Sequence, residues 1–187
     1  MMILLNNISW MGWNVFLALI PPIFGWLLLI TRQRILNVAF ALIWFFFLPN
    51  TLYLITDLPH IIWQWHRMHH AGQIVLALQY ITLVLIGLVT FLLAMYPVEK
   101  ALLRSSWLKK KSLVPLFILL TNFFIGVGIV LGRVQRVNSW DIVVDIPKVI
   151  GASVSIFNSL EMILFVLFFG VFANVYYFVC RKSFQVP

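Results

Sequence analysis

The chain has 187 residues, a formal charge of +8, 63% hydrophobic and only 10% charged residues, and a mean hydropathy of +1.04. A soluble domain carries roughly a quarter charged residues, so the composition excludes an ordinary water-soluble fold and points to lipid as the solvent. The positive charge does not signal nucleic acid: the basic residues lie in short loops between apolar runs, and no groove-reading helix or aromatic–basic sheet pattern is present.

The expected fold class is all-α, a polytopic helical membrane protein forming one integral membrane domain over residues 1–187. About five transmembrane helices are expected, with short interfacial or re-entrant helices between them. A spanning helix needs about 20 apolar residues. The first span is expected over 10–30, interrupted by Pro21 and Pro22. No basic n-region or small-residue cleavage site accompanies it, so it reads as a retained helix rather than a cleaved signal. The other spans are expected over 35–55, 74–96, 113–131 and 157–179. Cys180, the single cysteine, reads as a packing residue at a helix end.

One set of connecting segments holds Arg32, Arg34, Lys100, Arg104, Lys109, Lys110, Lys111, Arg181 and Lys182. The other holds Arg67, Arg133, Arg136 and Lys148. The bias of nine against four predicts the first set to be cytoplasmic. The N-terminus is then outside and the C-terminus inside, and two polar stretches, "NTLYLITDLPHIIWQWHRMHH" and "GRVQRVNSWDIVVD", share the outer face.

In the second span Pro49 kinks the helix, and Asn50 and Thr51 are placed to re-satisfy freed carbonyls. Asn50, Tyr53 and Asp57 fall on one helical stripe. That stripe is either a polar contact with neighbouring helices or one wall of a pocket. Asp57 at membrane depth calls for a partner, and Arg133 and Arg136 are expected on the same face. Asp57 and His60 are candidate acid–base groups.

Trp63 and Trp65 suit an interfacial belt in a short helix or re-entrant turn. His66, His69 and His70 are spaced to share a helical face and form a possible metal site. No HExxH pattern supports that reading, and a polar or pH-sensitive surface explains the same spacing.

In the second stretch Arg133 and Arg136, three apart on one expected helical face, suit a planar anion. Asn138 and Asp141 read as a capping arrangement, with Trp140 at the interface. Asp141 and Asp145 are four apart on one face of a short helix ending near Pro147. Glu161, in the fifth span, is a candidate partner for an arginine or a proton carrier. The substrate-binding candidates are thus Asn50, Tyr53, Arg133, Arg136, Asn138, Trp140, Asp141 and Glu161. Gln79, Asn122 and Asn174 read as interhelical hydrogen-bonders, and Gly128 with Gly132 as a close-packing pair.

The paired motifs, Leu48-Pro49-Asn50 with Tyr53, Thr56, Asp57 and His60, then Gly132-Arg133 with Arg136, Asn138, Ser139, Trp140 and Asp141, resemble those of the membrane-protein family catalogued as domain of unknown function 1361. Where members of that family often carry an aromatic–leucine pair between the arginines, this chain has Val134 and Gln135. The arginine spacing is intact. The resemblance covers most of the chain and implies a bacterial polytopic membrane protein; it implies no activity.

Three functions compete. The first is an outward-facing site that binds or processes an anionic lipid-linked or envelope substrate. The second is a substrate-binding or transport component, which would draw energy from elsewhere because no GxxxxGK[ST] motif is present. The third is a non-catalytic envelope assembly protein. The bilayer is the one firm partner, and the sequence specifies neither a cofactor nor a protein partner.

Overall fold

The computed structural model describes residues 2–104 and 110–184; Lys109, counted in the charge bias, lies outside them. The described chain is helical and contains no strand. The helices are α1 (Met2–Ile30), α2 (Arg34–Phe47), α3 (Pro49–Tyr53), α4 (Pro59–Trp65), α5 (His70–Arg104), α6 (Val114–Arg133), α7 (Asp141–Val144), α8 (Ile146–Phe157) and α9 (Leu160–Cys180). Five helical segments, 2–30, 34–65, 70–104, 111–133 and 160–180, are long and apolar enough to cross a membrane. The protein is a multi-pass membrane protein.

These segments overlap the expected spans, but the last begins at Leu160 rather than 157, because Phe157 closes α8 and Ser159 caps α9. Three further differences concern the prolines and the end of α5. First, Pro21 and Pro22 do not interrupt α1, and both are buried within it. A membrane helix tolerates proline where neighbouring helices enclose the freed backbone. Second, α5 runs on past Tyr96 through Pro97 to Arg104. The Trp44 indole donates to the Ala94 carbonyl at 3.0 Å, one turn before that proline. Third, Pro147 lies in the first turn of α8 rather than at the end of a helix, because a proline's missing N–H costs nothing there.

In lipid there is little hydrophobic force between helices, so association rests on close packing and interhelical hydrogen bonds. Both are visible. The main helix pairings are α1 with α5 and α2, and α6 with α9, while α3 packs between α1, α5 and α6. A Cβ on Gly87 would stand 2.7 Å from the Thr51 carbonyl oxygen, and one on Gly128 would stand 2.3 Å from Pro49 Cγ. Only glycine lets α5 and α6 approach the Pro49 turn this closely. The same turn is closed internally: Asn50 Nδ2 donates to the Phe47 carbonyl at 2.9 Å and Thr51 Oγ1 to the Leu48 carbonyl at 2.8 Å. Deeper between α6 and α9, Asn122 Nδ2 donates to Asn174 Oδ1 at 3.0 Å.

The helices place two polar clusters at opposite ends of the bundle. One surrounds Asp57, where α1 begins, α3 and α4 meet, and α6 ends. The other surrounds Glu99, near the end of α5 and the end of α9.

Candidate functional site

After Tyr53 the chain tightens into a 3-10 turn over Leu54–Asp57 before Pro59 starts α4. This turn buries Asp57, which is 3% exposed. Both carboxylate oxygens are engaged from other helices. Arg133 Nη1, at the last turn of α6, donates to Oδ1 at 3.0 Å, and Asn14 Nδ2, from α1, donates to Oδ2 at 3.1 Å. Arg133 Nη2 lies 3.2 Å from His60 Nδ1, which is also 3.1 Å from the Asp57 carbonyl oxygen. A guanidinium only donates. Nδ1 of His60 therefore stands between a donor, the Arg133 guanidinium, and an acceptor, the Asp57 carbonyl.

A second layer stands beside this group. Asn7 and Gln64 exchange hydrogen bonds at 2.8 and 3.0 Å, the Trp10 indole donates to Asn7 Oδ1 at 3.1 Å, and Gln79 donates to the Leu4 carbonyl at 3.2 Å. The Trp10 ring lies between those of His60 and Tyr80, at centroid distances of 5.9 and 6.4 Å. These bonds pin α1 to α4 and α5.

Next to the ion pair is a cavity of about 380 Å³ walled by α1, α2, α3 and α6 and covered by residues 137–153. That is within the usual size range of small-ligand sites. Asn14, Asn50, Tyr53, Asn138, Ser139 and Trp140 line it, and among the described residues no charged side chain does. Asn14 thus belongs to both features. Asn50 Nδ2 also donates to Ser139 Oγ at 2.9 Å, joining α3 to the segment after α6. Tyr53 lies against Gly132, where a Cβ would be 3.3 Å from the ring.

Arg136 does not share a helical face with Arg133. The helix ends at Arg133, and Arg136 adopts a left-handed backbone with φ of 55°. That reversal brings the Val137 amide back to the Leu131 carbonyl at 3.0 Å and folds Asn138–Trp140 over the cavity, leaving Arg136 exposed. Asp141 accepts from the Asn138 backbone amide at 2.9 Å and pairs with Lys148 at 2.5 Å. The Lys148 ammonium, with the Asn138 amide, holds the Asp141 carboxyl below its usual range. Asp145 is not on a helical face with Asp141. It stands between α7 and α8 in a non-helical conformation and caps α8 by accepting from the Lys148 backbone amide at 3.1 Å.

Glu161 is exposed in the first turn of α9 and forms no hydrogen bond or ion pair among the described residues. The expected histidine face is not formed either. His66 closes α4, His69 lies in the turn, and His70 begins α5, so the chain reverses within the trio. Among the described residues no group of three or more His, Cys, Asp or Glu side chains converges on a metal position.

Sequence reasoning missed Asn14, Asn7 and Gln64. It also missed the cluster at the opposite end, where Glu99 accepts from Tyr177 Oη and, at 2.8 Å, from Arg181 Nη1.

Residues 13–176 match the family described as "Protein of unknown function (DUF1361)". The chain belongs to this family. The DUF1361 region contains the whole Asp57–Arg133 group and every residue that lines the cavity. It stops one residue short of Tyr177. No curated protein and no solved structure matches the chain.

Proposed function

We propose that this protein binds a lipid-linked substrate carrying an anionic group, on the outer face of a bacterial cell membrane. The observation that carries the reading is the double role of Asn14, which lines the cavity and hydrogen-bonds the carboxylate that holds Arg133. A ligand in the cavity would lie one side chain away from the ion pair.

The chemistry of that pair favours binding over proton transfer. Asp57 has both oxygens committed and is 3% exposed, so it orients Arg133 rather than meeting a substrate. The Arg133 side chain is 28% exposed, and three of its five N–H groups are not committed to the contacts with Asp57 and His60. Guanidinium donors in a fixed plane suit phosphate or carboxylate. His60, exposed beside it, adds a second polar ring to the same face. Arg136 and Glu161 stand apart from this group and have no part in the reading.

The test is equilibrium binding of dodecyl phosphate to the full chain in phosphatidylcholine nanodiscs. Arg133→Gln is expected to weaken binding at least tenfold, the low end for a hydrogen bond to a charged group. Unchanged affinity in a variant that unfolds at the wild-type temperature would remove the reading. The outer location has its own check. A periplasm-active reporter fused after Gly72 is expected to work, and a cytoplasm-active one at the same place is not.

A further inference from the structure

We infer that the cavity seats an uncharged, hydroxyl-bearing head group, such as a sugar, carried on a long apolar chain. The inference concerns the cavity, rests on the lipid-binding reading only for the chain, and assigns a chemistry opposite to that of Arg133. The orientation of two amides is decisive. Asn14 Nδ2 faces a carboxylate oxygen of Asp57, and Asn50 Nδ2 faces the Phe47 carbonyl. Both partners can only accept, so neither amide can be flipped without setting oxygen against oxygen. Each therefore offers its Oδ1, and neither Oδ1 has a hydrogen-bond partner among the described residues.

Hydroxyls complete the set. Tyr53 lines the cavity, and its hydroxyl makes no hydrogen bond among the described residues. Ser139 Oγ accepts from Asn50 and keeps its own proton to donate. The two fixed carbonyl acceptors, with no cation among the described lining residues, disfavour a phosphate or carboxylate, which only accepts, while the two hydroxyls can donate as well as accept. They match a group that both donates and accepts at several adjacent oxygens, which is what a sugar presents.

The apolar remainder of the wall fixes what carries that group. Leu17, Phe45, Phe46 and Phe124 line the cavity beside the polar set. Trp13 and Trp140, 54% and 40% exposed, also line it. Trp13 stacks on Phe16 at a centroid distance of 5.6 Å, so the Trp140 indole is the better placed of the two to meet the C–H face of a sugar ring. A free sugar would leave the apolar portion unfilled.

The experiment compares radiolabelled dodecyl β-glucoside with dodecyl phosphate on the full chain in phosphatidylcholine nanodiscs, with empty nanodiscs subtracted. The wild type is expected to bind the glucoside saturably. Tyr53→Phe removes only a hydroxyl with no described partner and should unfold at the wild-type temperature. It is expected to lower the glucoside-to-phosphate affinity ratio about fivefold, the worth of one neutral hydrogen bond. Arg133→Gln is expected to raise that ratio. Failure of the glucoside to bind, or an unchanged ratio in Tyr53→Phe, overturns the inference even where phosphate binding still depends on Arg133. Conversely, glucoside binding that survives while phosphate binding proves indifferent to Arg133 supports the cavity and removes the anion reading. Glucose competing as well as dodecyl glucoside overturns the lipid assignment.

Discussion

The two ends of the bundle carry nearly the same device. At one, Asp57 takes Arg133 and an amide from Asn14; at the other, Glu99 takes Arg181 and the phenol of Tyr177. The arginine side chains are similarly exposed, at 28% and 26%. The difference lies in what surrounds each guanidinium. Arg181 sets its guanidinium carbon over the Phe178 ring, 4.7 Å from the centroid, against an apolar cover. Arg133 meets an imidazole and stands beside a cavity with free polar atoms. A buried ion pair is therefore not by itself the mark of a site. One pair fastens α9 to α5, and the other is proposed to hold a donor array ready for a ligand.

The largest expected effects test whether the two pairs are equal as fasteners. Breaking a buried pair by removing one partner costs roughly 3–5 kcal/mol. Because each arginine is partly exposed, Asp57→Ala and Glu99→Ala are each expected to cost about 3 kcal/mol in thermal unfolding. Only Asp57→Ala should also lose dodecyl phosphate binding. Loss of binding in both variants, at equal stability, would erase the distinction between the ends.

A smaller effect separates the arginines. Where Arg133→Gln lowers phosphate affinity, Arg181→Gln is expected to leave it within about twofold of wild type. Next comes Tyr177→Phe, which withdraws a buried donor from Glu99 and is expected to lower stability by about 1–2 kcal/mol. The matching change at the other end, Tyr53→Phe, should leave stability unchanged. Unfolding curves for the two phenylalanine variants read this contrast directly.

The smallest effect is a pH dependence in the cover. Asp141 titrates below its ordinary value of 3.8 because of Lys148 and the Asn138 amide. A carboxyl depressed by folding stabilises the fold above its unfolded value, and that contribution fades as pH falls through the folded value. The difference in unfolding temperature between wild type and Lys148→Met should therefore be present at pH 6 and vanish well below pH 3.8. A difference that persists in acid would mean that Lys148 acts by packing.

Much of the architecture was legible because the bilayer imposes one rule, a run of about 20 apolar residues per span. The Asp57 end was legible in part, since Pro49, Asp57 and Arg133 stand out against apolar sequence. What stayed hidden were partners with no local signature. Asn14 is a lone polar residue in the first span, 43 residues from Asp57. Its only cue is that it falls toward the same end as Asp57 once the spans are laid antiparallel. Glu99 was obscured by where the third span seemed to stop. With the helix ended at Tyr96, an acid among basic residues reads as part of a loop. Arg136 shows the opposite failure. Helical spacing placed it beside Arg133, but the helix stops there, and a left-handed residue sends the chain back over the cavity.

The Pro49 turn, gripped by Gly87 and Gly128, also makes one wall of the cavity unyielding. That wall has no slack in which to breathe, since a single added methyl would collide on either side. Asn50 and Tyr53 are cast in place before any ligand arrives. Accommodation would fall to the opposite cover, residues 137–153, in which Val143 and Val144 are each more than three-quarters exposed. Any change of shape on binding would then be confined to that cover, with an unmoving anvil behind it.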